Sequence, residues 1–86
     1  MMHTLKCWPA YYEAVKSGQK NFEIRKNDRP FVVGDTMLLR EWDPGTKQYT
    51  GREAKRKITY ILDLSQAPGL ENVRGYVVIG VREEGL

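Results

Sequence analysis

Apolar and polar residues alternate along five short segments of the chain, and turn-forming residues separate these segments. Such alternation is typical of β-strands, whose successive side chains point to opposite faces of a sheet. The Gly, Pro, Asn and Asp residues between the segments favour turns. The sequence therefore predicts five strands, over residues 3–7, 20–26, 36–43, 52–63 and 75–83.

One segment near the N-terminus, residues 9–17, has helical features instead. Pro9 suits the first turn of a helix, where a missing backbone N–H costs nothing, and Gly18 suits the position just past a helix end. The helix carries one apolar stripe, which we expect to face the core. This stripe consists of Tyr11, Tyr12 and Val15.

The chain length bounds the architecture. Its 86 residues suffice for one hydrophobic core, so we expect a single domain over residues 1–86. Short strands in so small a domain close most easily into a barrel, which removes exposed strand edges. The predicted fold class is therefore mainly β (α+β): a small β-barrel of about five strands with one short N-terminal helix.

Several classes of function are disfavoured by the composition. The lone cysteine, Cys7, excludes an intrachain disulfide and is expected to be a small core residue rather than a nucleophile. His3 lies about 13 Å from Cys7 along one strand, too far for both to chelate one ion, so no metal is expected. Neither a phosphate-binding glycine loop nor a dinucleotide fingerprint indicates a cofactor. The chain has no apolar run of membrane-spanning length and no signal-peptide layout, which favours the cytoplasm.

The second predicted strand is unusually rich in charge. By alternation, Phe22 and Ile24 are expected to face the core. Glu23 and Arg25 then point to the opposite side, with Lys20 at the entry to the strand. This charged face is either exposed to solvent or part of a binding site.

Other cationic and aromatic side chains also suit a binding site. Lys6 and Trp8 share a face of the first strand. Arg40 and Trp42 share a face of the third. If these faces converge, Arg or Lys can contact phosphate, Trp can stack on a base, and a Glu can accept from a base amino group. Alternatively, the tryptophans pack in the core or rim and the charged groups form surface ion pairs, Arg40 with a neighbouring carboxylate.

Charge is also concentrated in a basic run over residues 52–57, which holds four basic residues and one acidic residue. Two interpretations remain open. Either the run protects an exposed strand edge, or it forms a phosphate-binding stripe. The net charge of +3, from 14 basic and 11 acidic residues, permits nucleic-acid binding without requiring it.

The motif Gly18-x-Lys20-x-x-Glu23-x-Arg25, directly after the predicted helix, resembles that of the ASCH (activating signal cointegrator homology) domain. That family belongs to the PUA-like superfamily of small β-barrels. Further stretches resemble a small bacterial and phage branch of the family, so the likeness covers nearly the whole chain. These stretches are HTLKCWPAYYEAVKSG at 3–18, VGD at 33–35, LREWDP at 39–44 and GYVVIGV at 75–81.

The resemblance implies a PUA-like barrel whose helix lies beside a cleft, with the motif residues lining that cleft. It also implies a small RNA- or nucleotide-binding module, often linked to translation or its regulation. A different interpretation makes the domain a phage or bacterial adaptor that binds a protein partner, with the cleft merely structural. The full set of candidate cleft residues is Lys6, Trp8, Lys20, Glu23, Arg25, Arg40, Trp42 and Tyr76.

One branch of the family is similar to small amidohydrolases that act on N4-acetylcytidine. Their catalysis is assigned to a Lys, a Thr three residues later and a distant Glu. Lys20 matches the Lys, but Glu23 stands where the Thr is needed. This departure favours binding over catalysis. Catalysis by Lys20 and Glu23 then requires another route, with Glu23 as general base on water and Lys20 stabilising the oxyanion.

Overall fold

Five strands form one sheet in the computed structural model, which describes residues 1–83. Each predicted strand is present, although the fourth begins at residue 48 rather than 52. Residues 84–86 of the predicted domain lie outside the described residues. The strands are β1 (Met2–Cys7), β2 (Phe22–Lys26), β3 (Thr36–Asp43), β4 (Gln48–Asp63) and β5 (Tyr76–Glu83), and the helix is α1 (Pro9–Lys16).

The strand order in the sheet is β1-β3-β4-β5-β2. The β1–β3 pair is parallel, and the other three pairs are antiparallel. The mainly β class is confirmed, but the sheet is an open half-barrel and not the closed barrel that we expected. Its two edges are β1 and β2. These two strands do not pair with each other, and the cleft described below lies between them.

The core fills the concave side of the sheet. Inward-facing Met37, Leu39, Val77 and Ile79 are fully buried, as the alternation of β3 and β5 requires. Helix α1 covers them with Tyr12 and Val15. Burying an aliphatic side chain of this size stabilises a fold by about 1.5–3 kcal/mol, so these contacts hold the helix against the sheet.

The helix ends as the sequence predicts. Gly18 adopts φ 85°, a left-handed conformation that glycine reaches without strain. The chain then reverses, and the amide of Lys20 donates to the carbonyl of Ala14 across 2.9 Å. One part of the predicted apolar stripe is wrong, since Tyr11 is 59% exposed. It lies one position, or about 100°, away from the buried face of the helix.

The orientation of β2 is the reverse of that predicted. Phe22 and Ile24 are exposed, whereas Glu23 is only 4% exposed. The register explains this result, because Glu23 lies opposite the fully buried Ile79 on β5 and therefore points inward with it. The predicted alternation of side chains along β2 was correct, but the side predicted to face the core was the wrong one.

The basic run belongs to β4, which lies between β3 and β5. Within residues 1–83, Arg56 and Lys57 have ladder partners on both β3 and β5, whereas the part of the run before Arg56 pairs with β3 alone. Protection of a strand edge is therefore ruled out for Arg56 and Lys57 and stays a prediction for the rest of the run. Arg56 is buried and donates to the backbone carbonyl of Val15, in the last turn of α1, across 3.2 Å. Arg52 pairs with the carboxylates of Glu13 and Glu41. Two of the four basic residues thus fasten the helix to the sheet.

Candidate functional site

A cleft of about 770 Å³ lies between the end of β1, the first turns of α1 and strand β2. This volume is within the range of pockets that hold small ligands, roughly 300–1,000 Å³. Five of the eight predicted site residues line the cleft: Lys6, Trp8, Lys20, Glu23 and Arg25.

Local structure explains why these side chains meet. Trp8 directly precedes α1, so it stands where the end of β1 turns into the helix. The reversal after Gly18 brings Lys20 back beside the helix, and β2 then carries Glu23 along the opposite wall. Arg25 spans the gap between the walls, since its Nη2 donates to the carbonyl oxygen of Lys6 across 2.8 Å.

A buried carboxylate forms the charged centre of the cleft. The Oε2 atom of Glu23 lies 3.0 Å from Nζ of Lys20 and 3.6 Å from Nη2 of Arg25. A buried charge is costly unless it is paired, and two cations compensate this one. The other oxygen, Oε1, is buried without a hydrogen-bond partner among residues 1–83, and so is Nε of Arg25. The site thus retains one unused acceptor and one unused donor.

Aromatic rings stand at the mouth of the cleft. The side chains of Trp8 and Tyr11 are 53% and 59% exposed, which is unusual for rings of this size. The ammonium of Lys20 lies 5.2 Å from the ring centroid of Tyr11 and 5.5 Å from that of Phe22. These contacts are in the range of cation–π attraction. The cleft therefore offers flat apolar surfaces beside positive charge.

The structure does not bring the remaining three predicted residues to this lining, namely Arg40, Trp42 and Tyr76. Arg40 points outward from β3, where its Nε lies 3.0 Å from Oε2 of Glu53 on β4. Its guanidinium also lies 3.9 Å from the ring centroid of Tyr49. Arg40 thus forms a surface ion pair, although with a cross-strand partner rather than with a neighbour on its own strand.

The ring of Trp42 and the ring of Tyr76 also lie elsewhere. Trp42 contacts the cleft only indirectly, because Nζ of Lys6 lies 4.3 Å from its ring centroid. Lys6 and Trp42 lie on the outer side of the β1–β3 pair. Tyr76 lies opposite Lys26 at the far end of the β2–β5 pair. The predicted residues on and next to β1 and β2 therefore meet at the cleft, whereas those on β3 and β5 do not reach it.

Three side chains that line the cleft were missed by sequence reasoning. They are Tyr11, Phe22 and Ile24. All three were assigned to the core because they are large and apolar. For Tyr11 the sequence does contain a signal. On a helix, Tyr11 lies about 100° from Tyr12, which shares the buried face with Val15, so its exposure was predictable. For Phe22 and Ile24 the sequence gives no such signal. The charge of Glu23 between them favours a β2 strand with Glu23 outside and the two apolar side chains inside, which is the wrong orientation.

Cys7 also lines the cleft, but it is 1% exposed. Burial, assisted by the negative charge of Glu23, raises the pKa of this thiol to about 11. A thiol with this pKa stays protonated at neutral pH and is a poor nucleophile. Its burial confirms the predicted packing role.

Two further observations concern metal binding and membrane crossing within residues 1–83. No group of three or more His, Cys, Asp or Glu side chains in this part of the chain has the geometry to hold a metal ion. Within the same residues, no helix combines the length and apolar character that crossing a bilayer requires.

The fold and the cleft define a small, mainly β domain with an open half-barrel sheet and a charged, aromatic-rimmed cleft beside its helix. The chain belongs to the family described as Domain of unknown function (DUF3850), whose model matches residues 2–81. It is also 41% identical, over 64 residues or 74% of its length, to a protein of Escherichia phage P2. That protein is named "Uncharacterized 12.9 kDa protein in GpA 3'region", and the chain spans 57% of its length. This similarity agrees with the bacterial or phage character predicted from the sequence.

Proposed function

We propose that the domain is a small RNA- or nucleotide-binding module of the ASCH and PUA-like type, and that the cleft is its binding site. One observation carries this proposal. The exposed rings of Trp8 and Tyr11 stand beside the cations of Lys20 and Arg25 around a single cleft. Aromatic rings stack on any base, and cations bind the phosphates that accompany it.

The half-barrel supports the PUA-like part of the proposal. Its edge strand β1 is joined to β2 and to the loop after β2 by two arginine side chains rather than by a backbone ladder. Arg25 donates to the carbonyl of Lys6 across 2.8 Å, and Arg29 donates to that of Thr4 across 3.2 Å. We propose that the open sheet corresponds to a PUA-like barrel whose seam coincides with the cleft.

The polar centre of the cleft supports recognition of a base. Oε1 of Glu23 is an acceptor without a partner among residues 1–83, and the exocyclic amino group of a base is a suitable donor for it. Because this oxygen is shielded from solvent, the proposal requires the Glu23 side chain to turn toward the cleft when the base binds, while Lys20 and Arg25 compensate its charge. In this proposal Glu23 selects the base, Trp8 stacks on it, and the cations attract the phosphate.

Binding of labelled single-stranded and duplex RNA at several salt concentrations tests the proposal. Trp8→Ala is expected to weaken binding about tenfold, because stacking contributes about 1–3 kcal/mol per base. Lys20→Ala is expected to lower the slope of log K against log salt by about 1. Lys16→Ala, which removes an exposed cation elsewhere on α1, is the matched control and should change neither quantity strongly. Absent or salt-independent binding would overturn the proposal.

We propose hydrolysis of an acylated nucleoside, such as N4-acetylcytidine, as the second candidate function. The contact between Nζ of Lys20 and Oε2 of Glu23 at 3.0 Å favours it, because a general base and an oxyanion-stabilising cation then adjoin one cleft. Turnover of acylated nucleosides by the purified protein tests this activity. Lys20→Ala and Glu23→Gln should each abolish turnover while the far-UV circular dichroism of the protein is retained. A protein inert toward the whole panel of substrates would rule the activity out.

A further inference from the structure

The outer side of the sheet carries a second surface, formed by outward-facing residues of β2, β5 and the end of β4. Alternation exposes large apolar side chains here, because their neighbours Val77 and Ile79 fill the core. We call this surface the outer aromatic face. It consists of Phe22, Ile24, Tyr60, Leu62, Tyr76 and Val78.

The strand register makes this face continuous. Val78 lies opposite Ile24 on one side and Leu62 on the other. In the adjacent row, Gly80 lies between Phe22 and Tyr60. The two rings are therefore two strand spacings apart, about 9.5 Å, with bare backbone between them. Tyr60 is 65% exposed, and a contiguous apolar surface of this kind marks an interaction site.

Positive charge borders the outer aromatic face. Lys57, on β4, lies at one end, and Lys26 lies opposite Tyr76 at the other. Within the ranges 22–26, 57–63 and 76–82, no carboxylate occupies an outward-facing position. The occupant of this face must therefore combine flat apolar groups with negative charge.

A second copy of the chain does not meet this requirement. Packing two outer aromatic faces against each other brings the basic ends of one copy against those of the other, whichever way the strands run. Like charges at an interface oppose association. A single strand of nucleic acid meets the requirement, because its bases stack on exposed rings of a sheet and its phosphates pair with Lys and Arg.

The outer aromatic face is also continuous with the cleft. Phe22 and Ile24 belong to both, since each lines the cleft and faces outward from β2. We propose that single-stranded RNA leaves the cleft across Phe22 and continues over the outer aromatic face, where Tyr60 and Tyr76 stack on two separate bases of the same strand. This inference rests on the proposed RNA-binding function of the cleft and extends its ligand from one nucleotide to a strand.

Affinities for a mononucleotide and for single-stranded RNA of about 12 bases distinguish the two sites. Tyr60→Ala and Tyr76→Ala should each weaken binding of the longer RNA about tenfold and leave mononucleotide binding unchanged. Trp8→Ala should weaken binding of both ligands. Tyr49→Ala, which removes an exposed ring on the β3–β4 hairpin, is the matched control and should affect neither.

The outcomes separate failure of the extended path from failure of the cleft. If Trp8→Ala weakens binding of both ligands while Tyr60→Ala and Tyr76→Ala have no effect, the extended path is wrong and the cleft stands. If neither ligand binds, both proposals fail. Sedimentation equilibrium of the same variants tests the competing occupant. A dimer that Tyr60→Ala dissociates, or a protein partner that displaces the RNA from this face, would overturn the inference.

Discussion

Arg25 and Lys6 join the two edges of the sheet through one hydrogen bond, from Nη2 of the guanidinium to the backbone carbonyl oxygen, across 2.8 Å. No backbone ladder connects β1 and β2. The contact therefore substitutes for the strand pairing that closes a barrel, and it spans the cleft that we propose as the binding site.

We expect Arg25→Ala to lower the free energy of unfolding by about 1–2 kcal/mol, since hydrogen bonds from charged groups contribute on this scale. Amide exchange in β1 and β2 should accelerate more than in β4. Arg29→Ala removes the longer and more exposed contact to Thr4 and should cost less. Chemical denaturation and hydrogen exchange measure both effects. Unchanged exchange in β1 and β2 of Arg25→Ala would contradict the role of this contact.

The ion pair between Lys20 and Glu23 should be worth more than a surface pair of the same length. Nζ and Oε2 are 3.0 Å apart, and the two side chains are only 18% and 5% exposed. A double-mutant cycle with Lys20→Met and Glu23→Gln should give a coupling energy of about 1–3 kcal/mol. Thermal or urea unfolding of the four proteins provides this value.

The pair of Arg40 and Glu53 is the matched control. Its nitrogen–oxygen distance is also 3.0 Å, but its side chains are 37% and 44% exposed. Solvent screens such pairs, so the same cycle here should give less than about 1 kcal/mol. Equal coupling energies for the two pairs would show that burial does not strengthen the Lys20–Glu23 contact.

Much of the fold follows from local patterns in the sequence. The position of every strand and of the helix was predicted from alternation, from Pro9 and from Gly18. Alternation along β5 also predicts one shared side for Val77, Ile79 and Val81, and all three are buried. These features depend on residues close together in the chain, where period and turn chemistry act directly.

The errors concern relationships between distant segments. The phase of β2 is set by its register with β5, which places Glu23 opposite Ile79. The charge of Glu23 argued for the opposite phase, because the two cations that compensate it become visible only in three dimensions. Likewise, Arg40 pairs with Glu53 across the β3–β4 ladder, and sequence neighbours suggested another partner. Five of the nine residues that line the cleft were predicted, at the end of β1 and after the turn between α1 and β2.

Cys7 should be inert toward thiol reagents in the folded protein. Burial raises the pKa of its thiol to about 11, so only about one thiol in a thousand is ionised at pH 8. We expect a disulfide reagent to label the native protein at the rate of unfolding, and to label the denatured protein within the mixing time. Fast labelling under native conditions would contradict the buried position of the side chain.

Stability should decrease in acid because of Asp35. The hydrogen bond to His3, Nε2 to Oδ2 at 2.8 Å, holds the pKa of this carboxyl below its usual 3.8, assisted by the N-terminal amine and the amide of Val32. Below the usual value the unfolded chain binds more protons than the folded one. The stabilisation is therefore complete above that pH and is lost as the pH falls through the lowered pKa. Asp35→Asn should flatten this decrease and lower stability at neutral pH.

Urea unfolding between about pH 3 and pH 6 measures this dependence. Asp28→Asn removes an exposed carboxylate of the nearby turn and is the matched control, which should keep the slope of the parent protein. A residual slope in Asp35→Asn is expected from Asp63, whose pKa is lowered by hydrogen bonds from Ser65. If the free energy of unfolding depends on pH in the same way for the parent protein and Asp35→Asn, protonation of Asp35 does not cause the loss of stability in acid.

Arg56 and Lys55 should differ sharply in their effect on stability although they are adjacent and carry the same charge. Arg56 is 7% exposed, and it donates to the carbonyls of Val15 and of Lys55. Arg56→Ala removes both bonds and leaves the last turn of α1 without this donor. We expect a loss of about 2–3 kcal/mol in the free energy of unfolding.

Lys55 faces solvent on the same strand, so Lys55→Ala should change the free energy of unfolding by less than about 0.5 kcal/mol.

The RNA-binding assay then separates structure from recognition within the basic run. Charge reversal at Lys55 and Lys57 leaves the helix anchor intact, and weaker RNA binding in those folded variants would assign the outward lysines to the nucleic-acid surface. Unchanged binding would limit the run to its structural role through Arg52 and Arg56. A similar loss of stability for Lys55→Ala and Arg56→Ala would contradict the division of the run into buried and exposed members.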